Sequence, residues 1–181
     1  MRLAIPAAML LLTAATLGAT TLTFDDLVGQ ATLPINYGGI SWNAGWEHYD
    51  FEQPPFTPSS GATRVYNNAG SEALLFSFLA PDARLLGAYF AGLESVTAQW
   101  ELYNDGVLVH SSTVIGLSAI PTFLPSGYEG TVDEVRVLTS SGFFVMDDLQ
   151  FEASGVVPEP GTAAIVFLGL GATLLYRRLK R

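Results

Sequence analysis

The chain has no cysteine. Disulfides, zinc–thiolate sites and thiol catalysis are therefore excluded, and a core must hold by packing or around a metal ion. Positive charge is scarce in the middle of the sequence. Arg2 opens the chain, Arg177, Arg178, Lys180 and Arg181 close it, and only Arg64, Arg84 and Arg136 lie between. Every acid except Glu159 falls between Thr20 and Ala153, so that segment is more acidic than the net charge of -9 suggests. Such a surface repels phosphates and rules out a nucleic-acid partner. Its plainest role is to keep the domain soluble. His48 and His110 are the only histidines, and no metal-ligand spacing links them. No Gly-x-Ser-x-Gly nucleophile elbow occurs. Long stretches of helical periodicity are missing too.

Hydrophobic residues make up 49% of the chain against 14% charged, and much of that excess sits at the two ends. Residues 1–19 read as a signal peptide. Arg2 gives a short positive start, residues 3–12 an apolar stretch, and Gly18-Ala19 a plausible cleavage site. At the other end, Ser154-Gly155-Val156-Val157 leads into Pro158-Glu159-Pro160. Proline breaks any preceding regular element. An uncharged apolar run follows over 161–176, and then the basic cluster of 177–181. The run is short against the ~20 residues that a spanning helix needs. Its basic end snorkels and stays cytoplasmic under the positive-inside rule, which gives an N-out, C-in orientation. Gly169-Leu170-Gly171 lies within this run and is no nucleotide loop.

Val157-Pro158-Glu159-Pro160-Gly161, the Gly-rich apolar run and Tyr176-Arg177-Arg178 together resemble the PEP-CTERM sorting domain of Gram-negative bacteria. The resemblance covers about the last ~25 residues. It implies a transmembrane helix, an exosortase-type membrane protease as partner, transit through the inner membrane, and a destination at the cell surface or outside the cell, in exopolysaccharide or biofilm matrix. The sorting residues it points to are Pro158, Glu159, Pro160, Arg177 and Arg178.

Three segments follow: signal peptide 1–19, ectodomain 20–153 and sorting tail 154–181. In the ectodomain, short runs rich in Val, Thr, Leu, Phe and Tyr alternate with Gly, Pro, Asn and Ser. Strands are expected at 22–27, 63–66, 73–79, 85–93, 96–103, 107–114, 120–124, 132–138 and 143–151. Asn104-Asp105-Gly106 supplies the positive φ angles of a tight hairpin. In 132–137, Val135 and Val137 face one way, with Glu134 and Arg136 opposite, as in a half-buried strand. Strand number and spacing predict an all-β fold, an antiparallel two-sheet sandwich of jelly-roll type. The Phe24-Asp25-Asp26-Leu27 and Met146-Asp147-Asp148-Leu149 segments echo each other. They are similar to the first and last strands of galactose-binding-like modules, which implies that these two strands lie side by side.

Alternation places Asp147 in register with Val145, Leu149 and Phe151, hence inward. A buried carboxylate needs donors or a cation. One structural calcium near Asp25, Asp26, Asp147 or Asp148 is therefore a candidate; the alternative is that these acids accept hydrogen bonds from backbone amides. The aromatic stretch 42–56 is read as a long loop, either a binding surface or a cover over one end of the sandwich. Flat rings stack on sugars, and Trp46 and Tyr49 are the expected exposed ligand contacts; Trp42 and Phe51 are expected to plug the core. Acids are too numerous for a glycosidase pair to carry weight. The expectation is an exported, non-enzymatic surface or matrix protein. A carbohydrate-binding module that holds extracellular polysaccharide is the alternative, and a secreted hydrolase comes third.

Overall fold

Period-two alternation builds most of the strands. In Glu134–Thr139, Val135 and Val137 are fully buried while Glu134 and Arg136 reach solvent and pair with each other. The computed structural model describes residues 18–70 and 73–153. Of the expected signal peptide 1–19, residues 1–17 lie outside the described residues, while Gly18 and Ala19 begin the first strand; the tail from 154, with its transmembrane run and its sorting residues Pro158, Glu159, Pro160, Arg177 and Arg178, also lies outside them.

Among the described residues there are fourteen strands, β1 to β14 in chain order, and no helix. One sheet runs β12 (Thr122–Pro125), β8 (Arg84–Gly92), β14 (Phe144–Ala153), β6 (Arg64–Asn67), β5 (Trp46–Tyr49), β2 (Ala31–Thr32), with β1 (Gly18–Leu22) also on β14. The other runs β10 (Val107–Ser111), β9 (Thr97–Asn104), β13 (Glu134–Thr139), β7 (Ala73–Phe78), β4 (Ile40–Trp42), β3 (Asn36–Tyr37), with β11 (Ile115–Gly116) on β9. Every pairing is antiparallel. From β6 to β9, and again from β12 to β14, the chain changes sheet at each step. This is the expected two-sheet sandwich. The first and last strands are adjacent, Gly18 opposite Ala153 and Leu22 opposite Leu149. The first strand sits earlier than its sequence suggests: 24–27 form a turn closed by the Leu27 amide on the Phe24 carbonyl.

The hairpin at Asp105-Gly106 forms with φ of 51° and 73°, the mirror-image turn that suits twisted antiparallel strands. Between the sheets lies an aromatic core. Trp42 packs on Trp46 and Phe76 at 5.4 and 5.0 Å between ring centroids, and Trp100 packs on Phe90 at 5.1 Å. Each indole N–H finds a backbone carbonyl at 3.0 Å: Trp42 on Tyr37, Trp46 on Leu75, Trp100 on Leu124. A buried indole is thereby kept free of an unsatisfied donor.

β14 departs from plain alternation. Phe144 and Met146 face the core, and Val145 faces out. At Asp148 the backbone takes φ 46° and the register with β8 shifts, so Leu149 and Phe151 return to the core. Asp147 is buried as expected, but on the face of Val145, outside the core; the bulge breaks its register with Leu149 and Phe151. The bulge also divides one edge of β14. β6 pairs with Val145 and Met146, β1 pairs with 149–153, and Asp147 and Asp148 have no ladder partner on that edge.

Trp46 is central to the core, so Trp46→Ala is expected to cost about 3–5 kcal/mol of stability. Phe143→Ala, at a solvent-exposed ring, is expected to stay within about 0.5 kcal/mol. Urea denaturation midpoints of the two variants check the contrast.

Candidate functional site

The segment between β5 and β6, residues 50–63, crosses the outer face of the first sheet and is held there by charged side chains. One Asp147 carboxylate oxygen accepts the amides of Ser59 and Ser60 at 2.7 and 3.0 Å, and the other accepts the Asp148 amide at 2.7 Å. Asp148 accepts the Ser60 hydroxyl at 2.7 Å. Adjacent strand residues normally point to opposite faces; the left-handed kink at Asp148 lets both carboxylates reach Ser60. Asp25 accepts the amides of Ala62 and Thr63 at 3.0 and 3.1 Å. Its carboxylate lies where a Cβ on Gly61 would be, so only glycine fits there. Arg64 is buried and donates to the carbonyls of Phe51 and Ala62 at 2.6 and 2.7 Å, which joins the two ends of the segment.

The four acids expected near a calcium are therefore spread along this seam. Asp25, Asp147 and Asp148 receive protein donors, and Asp26 accepts the Tyr37 hydroxyl. Among the described residues, no three of His, Asp and Glu come together as a ligand group.

Beside the segment is an open hollow of about 360 Å³. Tyr49, Val145, Phe56 and Tyr66 line it, and with Ala91 they form a small second cluster separate from the main core. Tyr49 lies edge-on to Tyr66 at 5.3 Å and under the Arg64 guanidinium at 3.9 Å. The Tyr66 hydroxyl donates to Glu47 and accepts from Gln30 at 2.7 Å. Burial, the larger effect, and the Glu47 hydrogen bond both push this phenol above its ordinary range, so it stays a neutral donor. Phe51 and Phe143 stand exposed at the rim, 47% and 60% accessible, and Gln30, Gln53 and Asn67 supply amides. Among the described residues, no charged side chain lines the hollow.

The expected contacts fare differently. Trp46 and Tyr49 were read as exposed, and both are buried, at 0% and 3%. Trp46 alternates into the core from β5, and Tyr49 is roofed by Arg64 and Phe51, so neither offers a free face. Trp42 plugs the core as expected, but Phe51 does not. The expected loop contains β5 and begins on the last residue of β4. His48 and His110 fall in different sheets. Phe143, Tyr66 and Gln30 were missed. A signal existed for Phe143: in Phe143-Phe144 at a strand start, one ring must face out.

Comparison with known proteins gives fold-level likeness alone. No family model matches the sequence, and no curated protein does. Among solved structures, the chain is similar to the carbohydrate-binding module TmCBM61 in complex with β-1,4-galactotriose, at 10% identity, 62% of this chain, 85% of that one and a TM-score of 0.37. It is also similar to two variants of the family 29 carbohydrate-binding module CBM29-2, at 11% and 12% identity, 80% of this chain, 100% of each of those and TM-scores of 0.40 and 0.41. Likeness at this level carries no argument about function, which rests on this chain's own residues.

Burial pushes the Asp147 carboxyl up from 3.8 to about 7, outweighing the three amides that favour its charge, while Asp148 adds repulsion. The folded chain thus holds this proton more tightly than the unfolded chain. The resulting stabilisation is complete below about pH 4 and is lost as pH rises through about 7. Urea midpoints measured from pH 4 to 8 should fall with pH in the native chain, and Asp147→Asn should remove this part of the slope.

Proposed function

We propose that this chain is an exported, non-enzymatic surface protein whose sandwich binds carbohydrate at the hollow rimmed by Phe51 and Phe143. One observation carries the reading. In a domain so rich in acids, the described residues that line the hollow are aromatic, amide-bearing, apolar or glycine, and none carries a charge. Rings stack on the apolar face of a sugar, and amides hydrogen-bond its hydroxyls. Retaining or inverting hydrolysis needs two carboxylates flanking the bond, and among the described residues that line this hollow there is none, which favours binding over catalysis. Burial of Trp46 and Tyr49 supports a second reading, a purely structural matrix role. The Pro158-Glu159-Pro160 tail fits both, as the signal that brings the sandwich through the inner membrane to the surface by way of an exosortase-type protease.

A glycan array probed with the full-length chain separates the two. Carbohydrate binding predicts saturable signal on a subset of glycans. Phe143→Ala and Phe51→Ala are each expected to weaken it about tenfold, or about 1.4 kcal/mol, with unchanged melting temperatures. A blank array leaves the structural role. For the tail, alanine at Pro158, Glu159 and Pro160 is expected to leave the protein in the inner membrane at precursor size, as fractionation and immunoblotting would read. Surface delivery of that variant equal to the native chain would remove the sorting role.

A further inference from the structure

The hollow does not end at Phe143. A second one, of about 410 Å³, lies beyond and shares Asn67, Gly142 and Phe143 as its near wall. Its far side is polar and small, with Asn68, Gly70, Ser140 and Ser141. Among the described residues, it too is lined without a charged side chain. Both hollows are open and adjoin at this shared wall, where the exposed Phe143 ring stands between them; the two halves together are called the groove. Each half falls in the size range of a small-molecule site. A ring stacked on Phe143 would have neighbours on either side: aromatics and glutamines on one, hydroxyls and asparagine on the other.

The charge around the groove narrows the chemistry. The domain carries acids throughout and three arginines. Arg84 pairs with Glu129 and Glu152, Arg136 pairs with Glu134, and Arg64 is buried holding two carbonyls. None of the three lines either half of the groove. An anionic chain would meet repulsion with no cation to receive it. A third hollow adjoins the first at Gln53 and Phe56 but is different in kind: Asp50 and Glu52 line it together with Arg64, so its acids outnumber its one cation.

We infer that the groove takes an internal stretch of a neutral polysaccharide, several sugars long, threaded past Phe143. The inference rests on the carbohydrate-binding reading above and adds the length and charge of the ligand.

Titration calorimetry on the full-length chain in a sugar-free detergent tests it. The probes are neutral β-1,4-galactan, β-1,4-glucan, β-1,4-mannan and α-1,6-glucan oligomers of one to six units, with hexagalacturonate as the acidic counterpart. For at least one neutral series, affinity should rise tenfold or more from disaccharide to hexamer, with hexagalacturonate at least tenfold weaker at low salt. Asn68→Trp, an exposed change that fills the second half, should erase the gain in affinity with length. A monosaccharide bound as tightly as the hexamer, or a hexamer indifferent to Asn68→Trp, overturns the threaded chain while leaving sugar binding intact. Hexagalacturonate bound as tightly as the neutral hexamers overturns neutrality. No binding by any probe overturns the inference, and a blank glycan array beside it removes the carbohydrate reading as well.

Discussion

The groove exists because a buried carboxylate receives backbone amides in a gap between two strands. β14 is longer than either neighbour on one of its edges, and β6 and β1 divide that edge between them. Where they leave it unpaired, the left-handed kink at Asp148 turns the chain and Asp147 accepts from Ser59 and Ser60. That seats the segment 50–63 on the outer face of the sheet. Phe51, Gln53 and Phe56, all on this segment, then complete the hollow. Without the gap, the outer face would be an ordinary solvated sheet surface.

Carboxylates serve elsewhere in the same way. Asp25 holds the far end of the segment, Asp50 accepts the Gly29 amide at 2.8 Å, and Asp133 accepts the Asp105 amide at 2.8 Å beside the hairpin. With no disulfide to close loops and few cations to pair with, the domain uses aspartate as an acceptor for the amides that turns leave unpaired. Acidity therefore has a structural share as well as a solubilising one. These contacts are local to loops, so they fix the loop geometry without entering the core.

What could be read from the sequence follows from how local each cause is. The hairpin at Asp105-Gly106 and the alternation of Val135 and Val137 depend on neighbours a few residues away, and both formed where expected. The burial of Asp147 was legible from its apolar surroundings, but its face was not, because one extra residue at Asp148 inverts every later position. The short strands β4 and β5 were hidden among glycines and prolines. Their partners, Phe76 to Phe78 and 64–67, are distant in sequence, and it is this pairing that draws Trp46 inward. The groove was the least legible part, since Gln30, Tyr66 and Phe143 come from three separate regions that only the sheet order brings together.

The division of labour among the aromatics explains why the expected contacts were the wrong ones. Tryptophan looks like the natural sugar platform, yet all three tryptophans have an indole N–H that finds a carbonyl inside the sandwich, and each bridges strands there. The rings left outside are phenylalanines, which need no polar partner and so could not be predicted from hydrogen-bonding capacity. Their apolar faces at a rim free of charge are costly to leave in water and gain by being covered. The polar groups of the lining come instead from separate residues, Gln30, Gln53 and Asn67. A ligand suited to this surface must offer flat apolar faces and neutral polar edges in alternation along its length. A chain of neutral sugars has that pattern, whereas an acidic polymer would bring charges that none of the described lining residues can meet.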